Sequence, residues 1–301
     1  MLKSAFVKLV EVGPRDGLQS ACKVLQPEQR AILIKLLAHA GLTSIEGGSF
    51  VSPKWVPTVH MDDAWRLKRD NEPLLPLNAY SFLVPNKRGL EAALNAGVSN
   101  IAVFGSTTES FSMKNLNCSI SASMQAFEDI IFEAKTRNPN ITIRGYLSCV
   151  LGCPYEGLEI DPKRVACLAK QYIDMGCSEV SLGDTIGAGT PQRSEQLIEA
   201  VSNQIALPKI AMHFHNTYGQ ALANIWASLK AGIRIFDCSI AGLGGCPYAK
   251  SATGNVATED VVYMLQGTKY DPGVDLDKLK IASDYILHQL GIFHPPWLII
   301  W

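Results

Sequence analysis

The chain has 301 residues, 47% of them apolar and 18% charged, with a formal net charge of −1. That balance excludes a disordered chain and argues against nucleic acid or an anionic membrane surface as the main partner. No apolar run approaches the ~20 residues that span a bilayer, and the length suits either two domains or one α/β barrel, which runs to roughly 250 residues as a single unit.

A strand-like run at 7–12 (VKLVEV) begins almost at once, and no signal or transit peptide is expected in front of it. Residues 27–41 (PEQRAILIKLLAHAG) then read as a helix, with Pro at its opening and Gly at its end. Further strand runs follow at 44–46, 77–84, 100–104, 141–148, 178–183, 209–215 and 234–240. Helical patterns lie at 161–176, 190–205, 217–232 and 258–267, several ending in AG or MG directly before the next strand. Eight such units without a compositional break predict one domain over 1–301: a (β/α)8 TIM barrel to about residue 270, then a helical cap (277–290) and an apolar tail, HPPWLIIW. An open doubly wound sheet is the alternative that the same alternation allows.

Eight cysteines, at 22, 118, 149, 153, 167, 177, 238 and 246, do not make a disulfide scaffold in so large a chain. Cys149 and Cys153 are spaced too widely for CxxC redox chemistry. A reduced, cytoplasmic setting is the expectation.

In a barrel, chemistry belongs at the C-terminal ends of the strands. Strand 1 ends in Glu11-Val-Gly-Pro-Arg15-Asp16-Gly17, strand 2 at Glu46, strand 6 in Gly183-Asp184-Thr185, and strand 7 in His213-Phe-His215-Asn216. The loop after strand 8 reads AGLGGCPY (241–248), followed by Gly254-Asn255. His213 and His215, two apart on a strand, share one face. They are either hydrogen-bonded sheet histidines or, joined by Asp16 and Asn255, ligands of a divalent ion. Two imidazoles, a carboxylate and an amide oxygen suit Mg²⁺ or Mn²⁺ and tolerate Zn²⁺, Co²⁺ or Fe²⁺. The absence of a thiolate disfavours a closed structural zinc site.

Arg15 and Asp16 would face opposite ways on a strand, but Gly13-Pro14 and Gly17 suggest a turn that points both to the barrel mouth. There Arg15 would stabilise a developing oxyanion, pair with Glu46 or Asp184, or do both. The glycine-rich loop lacks phosphate-loop spacing. It reads as a mobile lid carrying the Cys246 thiol to substrate, against the alternative of a bystander cysteine.

The stretches VEVGPRDGLQ (10–19), SFVSPKWVP (49–57), RGYLSCVLGCPYEG (144–157), SLGDTIGAGTP (181–191), TYGQALAN (217–224) and AGLGGCPYAKSATGNVATEDVVYML (241–265) resemble the 3-hydroxy-3-methylglutaryl-CoA (HMG-CoA) lyase family over about residues 7–290. The resemblance implies a Mg²⁺- or Mn²⁺-dependent barrel cleaving HMG-CoA, an acyl-CoA substrate, to acetoacetate and acetyl-CoA in leucine degradation, and it suggests a homodimer. It also implies that Asp16, His213, His215 and Asn255 hold the metal, and that Arg15 binds substrate and steadies the enolate. Glu46 would orient Arg15 and a water, His213 or Asp16 would be the base, and Cys246 the loop acid. Where the family pattern has Asp after the second histidine, this chain has Asn216. Asp184 and Asn216 are expected to lie behind the ligands, where a carboxylate orients an imidazole. The other readings are a sister acyl-CoA lyase or Claisen-type synthase with another 3-hydroxyacyl substrate, and a catalytically dead barrel used for binding.

Overall fold

The computed structural model describes residues 5–52, 54, 75–245 and 254–292. Cys246, most of 49–57 beyond Ser52, and the apolar tail lie outside the described residues.

Eight parallel strands close into a barrel in chain order. They are β1 (Lys8–Glu11), β2 (Ile45–Ser49), β3 (Tyr80–Leu83), β4 (Asn100–Ser106), β5 (Thr142–Ser148), β6 (Glu179–Asp184), β7 (Ile210–Phe214) and β8 (Ile235–Cys238). Closure comes from β1 against β8, with Lys8 to Glu11 in register with Ile235 to Cys238. The open-sheet alternative is thereby removed. Each strand falls within or close to its expected run. The exception is β2, which extends through Gly47-Gly48 to Ser49 with a register irregularity between Glu46 and Gly48.

The described helices are α1 (Pro27–His39), α2 (Lys87–Asn95), α3 (Glu109–Leu116), α4 (Ile120–Arg137), α5 (Pro162–Met175), α6 (Pro191–Ser202), α7 (Ala221–Lys230), α8 (Thr258–Leu265) and α9 (Leu276–Leu290). The sequence reading named no helix at α2, α3 or α4. Two of these carry side-chain caps, in which Asn86 accepts from the Gly89 amide at 2.9 Å and Ser119 from that of Ala122 at 3.2 Å. The helix expected over 217–232 starts only at Ala221, because Gly219 turns left-handed (φ +67°) and Asn216 Oδ1 accepts the Ala221 amide at 3.2 Å.

Strand alternation sorts the side chains into two sets. Outward residues such as Ile45, Phe82, Ile101, Ile143, Leu182, Met212 and Phe236 join the helices in the main apolar core. Burying each such side chain contributes roughly 1.5–3 kcal/mol. Close packing reaches the backbone at Gly145, where a Cβ would stand 2.6 Å from the Tyr172 ring of α5. The inward set is different: among the described residues, Val10, Val12, Ala211 and Ile235 form a small apolar cluster there. Beside it the interior holds an ionic network. Lys8 Nζ lies 3.1 Å from Glu179, Arg144 Nε 2.8 Å from Glu179, and Arg144 Nη2 2.6 Å from Asp237.

Beyond α8, a two-residue parallel ladder joins Ala5–Phe6 to Tyr270–Asp271. The expected helical cap is α9, started by Asp275 Oδ1 accepting the amides of Asp277 and Lys278 and ended by a left-handed Gly291. It lies against α1, with Tyr285 Oη donating to the Gln29 carbonyl at 3.1 Å.

Candidate active site

The turn after β1 decides where Arg15 and Asp16 go. Gly13–Gly17 forms one wide turn in which the Gly17 amide reaches back to the Val12 carbonyl at 3.1 Å. Such i→i+5 turns redirect side chains and recur at functional sites. Both residues point to the mouth. Arg15 Nε donates to Glu46 Oε2 at 2.7 Å and Nη1 to Asp16 Oδ1 at 2.8 Å. Of the two partners expected for Arg15, the structure selects Glu46. The guanidinium also lies over the Tyr146 ring, 5.3 Å from its centroid, and Arg144 flanks the same ring at 4.9 Å.

Two buried carboxylates fix the backbone beneath this arrangement. Glu11, outward from β1, accepts the amides of Gly13 and Ile240 at 2.8 Å each and the Thr258 hydroxyl at 2.6 Å. One side chain thus ties the Arg15 turn to the loop after β8. Glu259 accepts the Ala241 amide with both oxygens at 3.0 Å. Burial pushes each carboxyl up to about 7. Neither residue stood out in the sequence, since a lone Glu at the end of an apolar strand, or in the first turn of a helix, carries no spacing signal.

The histidines come from the end of β7, His213 within it and His215 one residue past it. His213 and His215 face inward with ring centroids 5.3 Å apart. One ligand atom each from Asp16, His213 and His215 can be chosen so that all lie within 4.8 Å of one another. Asn255 joins them, its Nδ2 donating to Asp16 Oδ2 at 2.9 Å and to the Leu243 carbonyl at 3.0 Å. The loop neck allows this approach because residue 254 is glycine, and a Cβ there would stand 1.9 Å from the Gly242 carbonyl oxygen.

Two polar atoms of the set, His215 Nδ1 and Asn255 Oδ1, are buried with no hydrogen-bond partner. Unsatisfied buried acceptors are costly in a native protein, and a hard cation is the kind of partner a mixed N/O donor set provides for. The residues present fit a divalent ion.

Electrostatics agree with that donor set. Burial alone would raise the Asp16 carboxyl, but Arg15 and both imidazoles hold it below its ordinary value. Burial, reinforced by the charge of His213, pushes the His215 imidazole down to about 4, which leaves it neutral and free to ligate. Burial lowers His213 as well, but the hydrogen bond and charge of Asp237, with Asp16, raise it overall. Glu46 is raised by burial, with Arg15 opposing.

Asp184 and Asn216 are not where the sequence reading expects them. Asp184 falls on the outward parity of β6, in phase with Leu182, and Asn216 lies just past the end of β7. Asp184 accepts the amides of Ala188 and Gly189 at 3.1 and 2.8 Å and closes the turn after β6. Burial brings its carboxyl to about 6. Asn216 caps α7. The carboxylate behind one of the two imidazoles is instead Asp237 of β8, whose Oδ2 lies 3.3 Å from His213 Nδ1.

A family model described as HMGL-like matches residues 6–286. The chain belongs to the HMGL-like family. It is 50% identical over 286 residues, 95% of this chain and 93% of the relative, to the 3-hydroxy-3-isohexenylglutaryl-CoA/hydroxymethylglutaryl-CoA lyase of Pseudomonas aeruginosa. The human mitochondrial hydroxymethylglutaryl-CoA lyase is 48% identical over 285 residues, covering 95% of this chain and 86% of that one. A crystal structure of the Pseudomonas aeruginosa hydroxymethylglutaryl-CoA lyase superposes with a TM-score of 0.89 at 49% identity, over 97% and 95% of the two chains. As an HMGL-like protein the chain is a lyase on a TIM barrel, and the dead-barrel alternative has no support, since Arg15, Asp16, Glu46, His213, His215 and Asn255 are all in place.

Proposed function

We propose that this HMGL-like enzyme cleaves HMG-CoA to acetoacetate and acetyl-CoA with a divalent ion, Mg²⁺ or Mn²⁺, held by Asp16, His213, His215 and Asn255. The observation that carries the reading is the convergence of that donor set, two of whose polar atoms are buried without a hydrogen-bond partner, beside the buried Arg15–Glu46 pair. Held by these residues, a divalent ion would supply Lewis acidity that acidifies the C3 hydroxyl.

The chain's own groups do the rest. His213 or Asp16 takes the C3 hydroxyl proton, and as the carbonyl forms the C2–C3 bond breaks. The electron pair moves onto the thioester, giving the enolate of acetyl-CoA. Arg15 faces that developing oxyanion, and Glu46 fixes the guanidinium in advance, so little reorganisation accompanies the charge shift. A proton then returns to the enolate carbon, and the reading assigns this delivery to Cys246 on the glycine-rich loop.

A coupled assay for acetoacetate from HMG-CoA, with and without EDTA, tests the reading. Turnover that depends on Mg²⁺ or Mn²⁺ supports it, and no product from HMG-CoA with either metal overturns it. The name of the Pseudomonas relative includes a longer, isohexenyl substituent at C3, so the assay includes 3-substituted analogues. Equal rates on all of them would favour the broader acyl-CoA lyase.

The seven described cysteines are free thiols, in keeping with a reducing, cytoplasmic setting. A rat relative is named cytoplasmic, and several others mitochondrial. No described helix is long and apolar enough to cross a membrane. The homodimer expected from the resemblance is tested by sedimentation.

A further inference from the structure

His213 and Asp237 are register partners on adjacent parallel strands, β7 and β8. Alternation turns both side chains into the barrel, and Asp237 Oδ2 stands 3.3 Å from His213 Nδ1. Asp237 is 2% exposed. Its two oxygens are anchored separately, Oδ1 by Arg144 Nη2 at 2.6 Å and Oδ2 by the Ser181 hydroxyl at 2.7 Å. Arg144 is held in turn by Glu179, and Glu179 by Lys8. The carboxylate therefore has no room to turn, and Arg144 keeps it charged.

A charged carboxylate only accepts hydrogen bonds. The ring nitrogen facing it must carry the proton, which leaves the Nε2 lone pair of a neutral His213 for the opposite side, toward Asp16 and His215. We propose that Asp237 is a positioning residue of the reaction, fixing the tautomer and aim of His213 so that Nε2 is presented to the divalent ion. Arg144 and Ser181 serve as its anchors. With Nδ1 protonated and Nε2 given to the ion, His213 keeps no lone pair for the C3 hydroxyl proton, so of the two candidate bases this arrangement leaves Asp16. Carboxylates placed this way behind ligand histidines both orient the ring and raise its basicity. The inference rests on the metal-centre reading above and adds residues to it that no motif marks. A barrel-stabilising ion cluster without a functional role is the competing account, and it predicts altered stability alone.

The test compares Mn²⁺ binding to purified wild type, Asp237→Asn and His213→Ala, with thermal unfolding midpoints measured alongside. Asparagine keeps the shape of Asp237 and removes its charge, so Mn²⁺ affinity should fall about 10–100-fold in a protein that still unfolds cooperatively. Binding by Asp237→Asn within about twofold of wild type overturns the proposal. If His213→Ala also binds Mn²⁺ like wild type, the metal-centre reading itself is wrong, whereas loss in His213→Ala alone isolates the error to Asp237. Should Asp237→Asn fail to fold, the wild type decides by itself. Long-range ¹H–¹⁵N correlations of metal-free protein with labelled histidine, at a pH where the ring is neutral, should show His213 protonated at Nδ1. Protonation at Nε2 refutes the assignment.

Discussion

Arg15 and Glu46 meet 2.7 Å apart across the mouths of β1 and β2, with the Glu46 side chain wholly shielded from solvent. Removing one member of a buried ion pair leaves an uncompensated charge and costs about 3–5 kcal/mol. Asp16 Oδ1 still holds Arg15 Nη1 at 2.8 Å, so Glu46→Ala belongs at the low end, near 3 kcal/mol. Arg15 also loses the contact that fixes its Nε. Turnover should fall by about 10²-fold or more, the scale seen when one oxyanion donor is lost. A Glu46→Ala enzyme with wild-type kcat would remove the pair from the mechanism.

Cys246→Ala should lower turnover by several orders of magnitude and leave bound metal unchanged, because the thiol is not among the proposed ligands. Metal analysis of the purified variant beside its kcat makes the comparison. Unchanged turnover would take the thiol out of the reaction.

Asn216→Asp was the substitution that the sequence alone made interesting, as a restored carboxylate behind the histidines. The structure changes its expected outcome. The Asn216 side chain is engaged by the first amide of α7, so metal affinity should stay within about twofold. A negative charge at that helix N-terminus should instead stabilise the fold by about 0.3–1 kcal/mol. Isothermal titration with Mn²⁺ and a melting curve separate the two effects, and a tenfold gain in affinity would contradict the assignment to the cap.

Glu11 and Glu259 give the fold a pH dependence of definite sign. Burial raises both from 4.5 to about 7, so between those values the native state binds more protons than the unfolded chain. Their contribution is full below about pH 4.5, declines as pH rises, and levels off above about pH 7. Glu11→Gln keeps an acceptor for the Gly13 and Ile240 amides and no longer titrates. Its melting temperature should vary less across this window than that of wild type, as differential scanning calorimetry would register. An unchanged pH profile would mean that Glu11 does not carry the effect.

Much of the site was legible in the chain order of residues. His213 and His215 share a face because a strand repeats every two residues, and Asp16 and Asn255 follow strand ends, where a barrel gathers its chemistry. The same period could have placed Asp184 on the outward face, with Asn216 beyond the end of its strand. Family resemblance, which compares positions and not directions, drew attention to them instead.

Sequence determined the barrel, the strand ends that carry ionisable groups, and the face of each side chain, since these depend on local periodicity and turn chemistry. Tertiary structure decided which of those groups meet. Asp237 reaches His213 only through the register of β7 against β8, and Glu11 joins the Arg15 turn to the loop after β8 across more than two hundred residues of chain. Arg15 chose Glu46 over Asp184 because the turn after β1 aims it inward while β6 aims Asp184 out. Such pairings follow from strand register and barrel closure, which arise only when distant segments pack against one another.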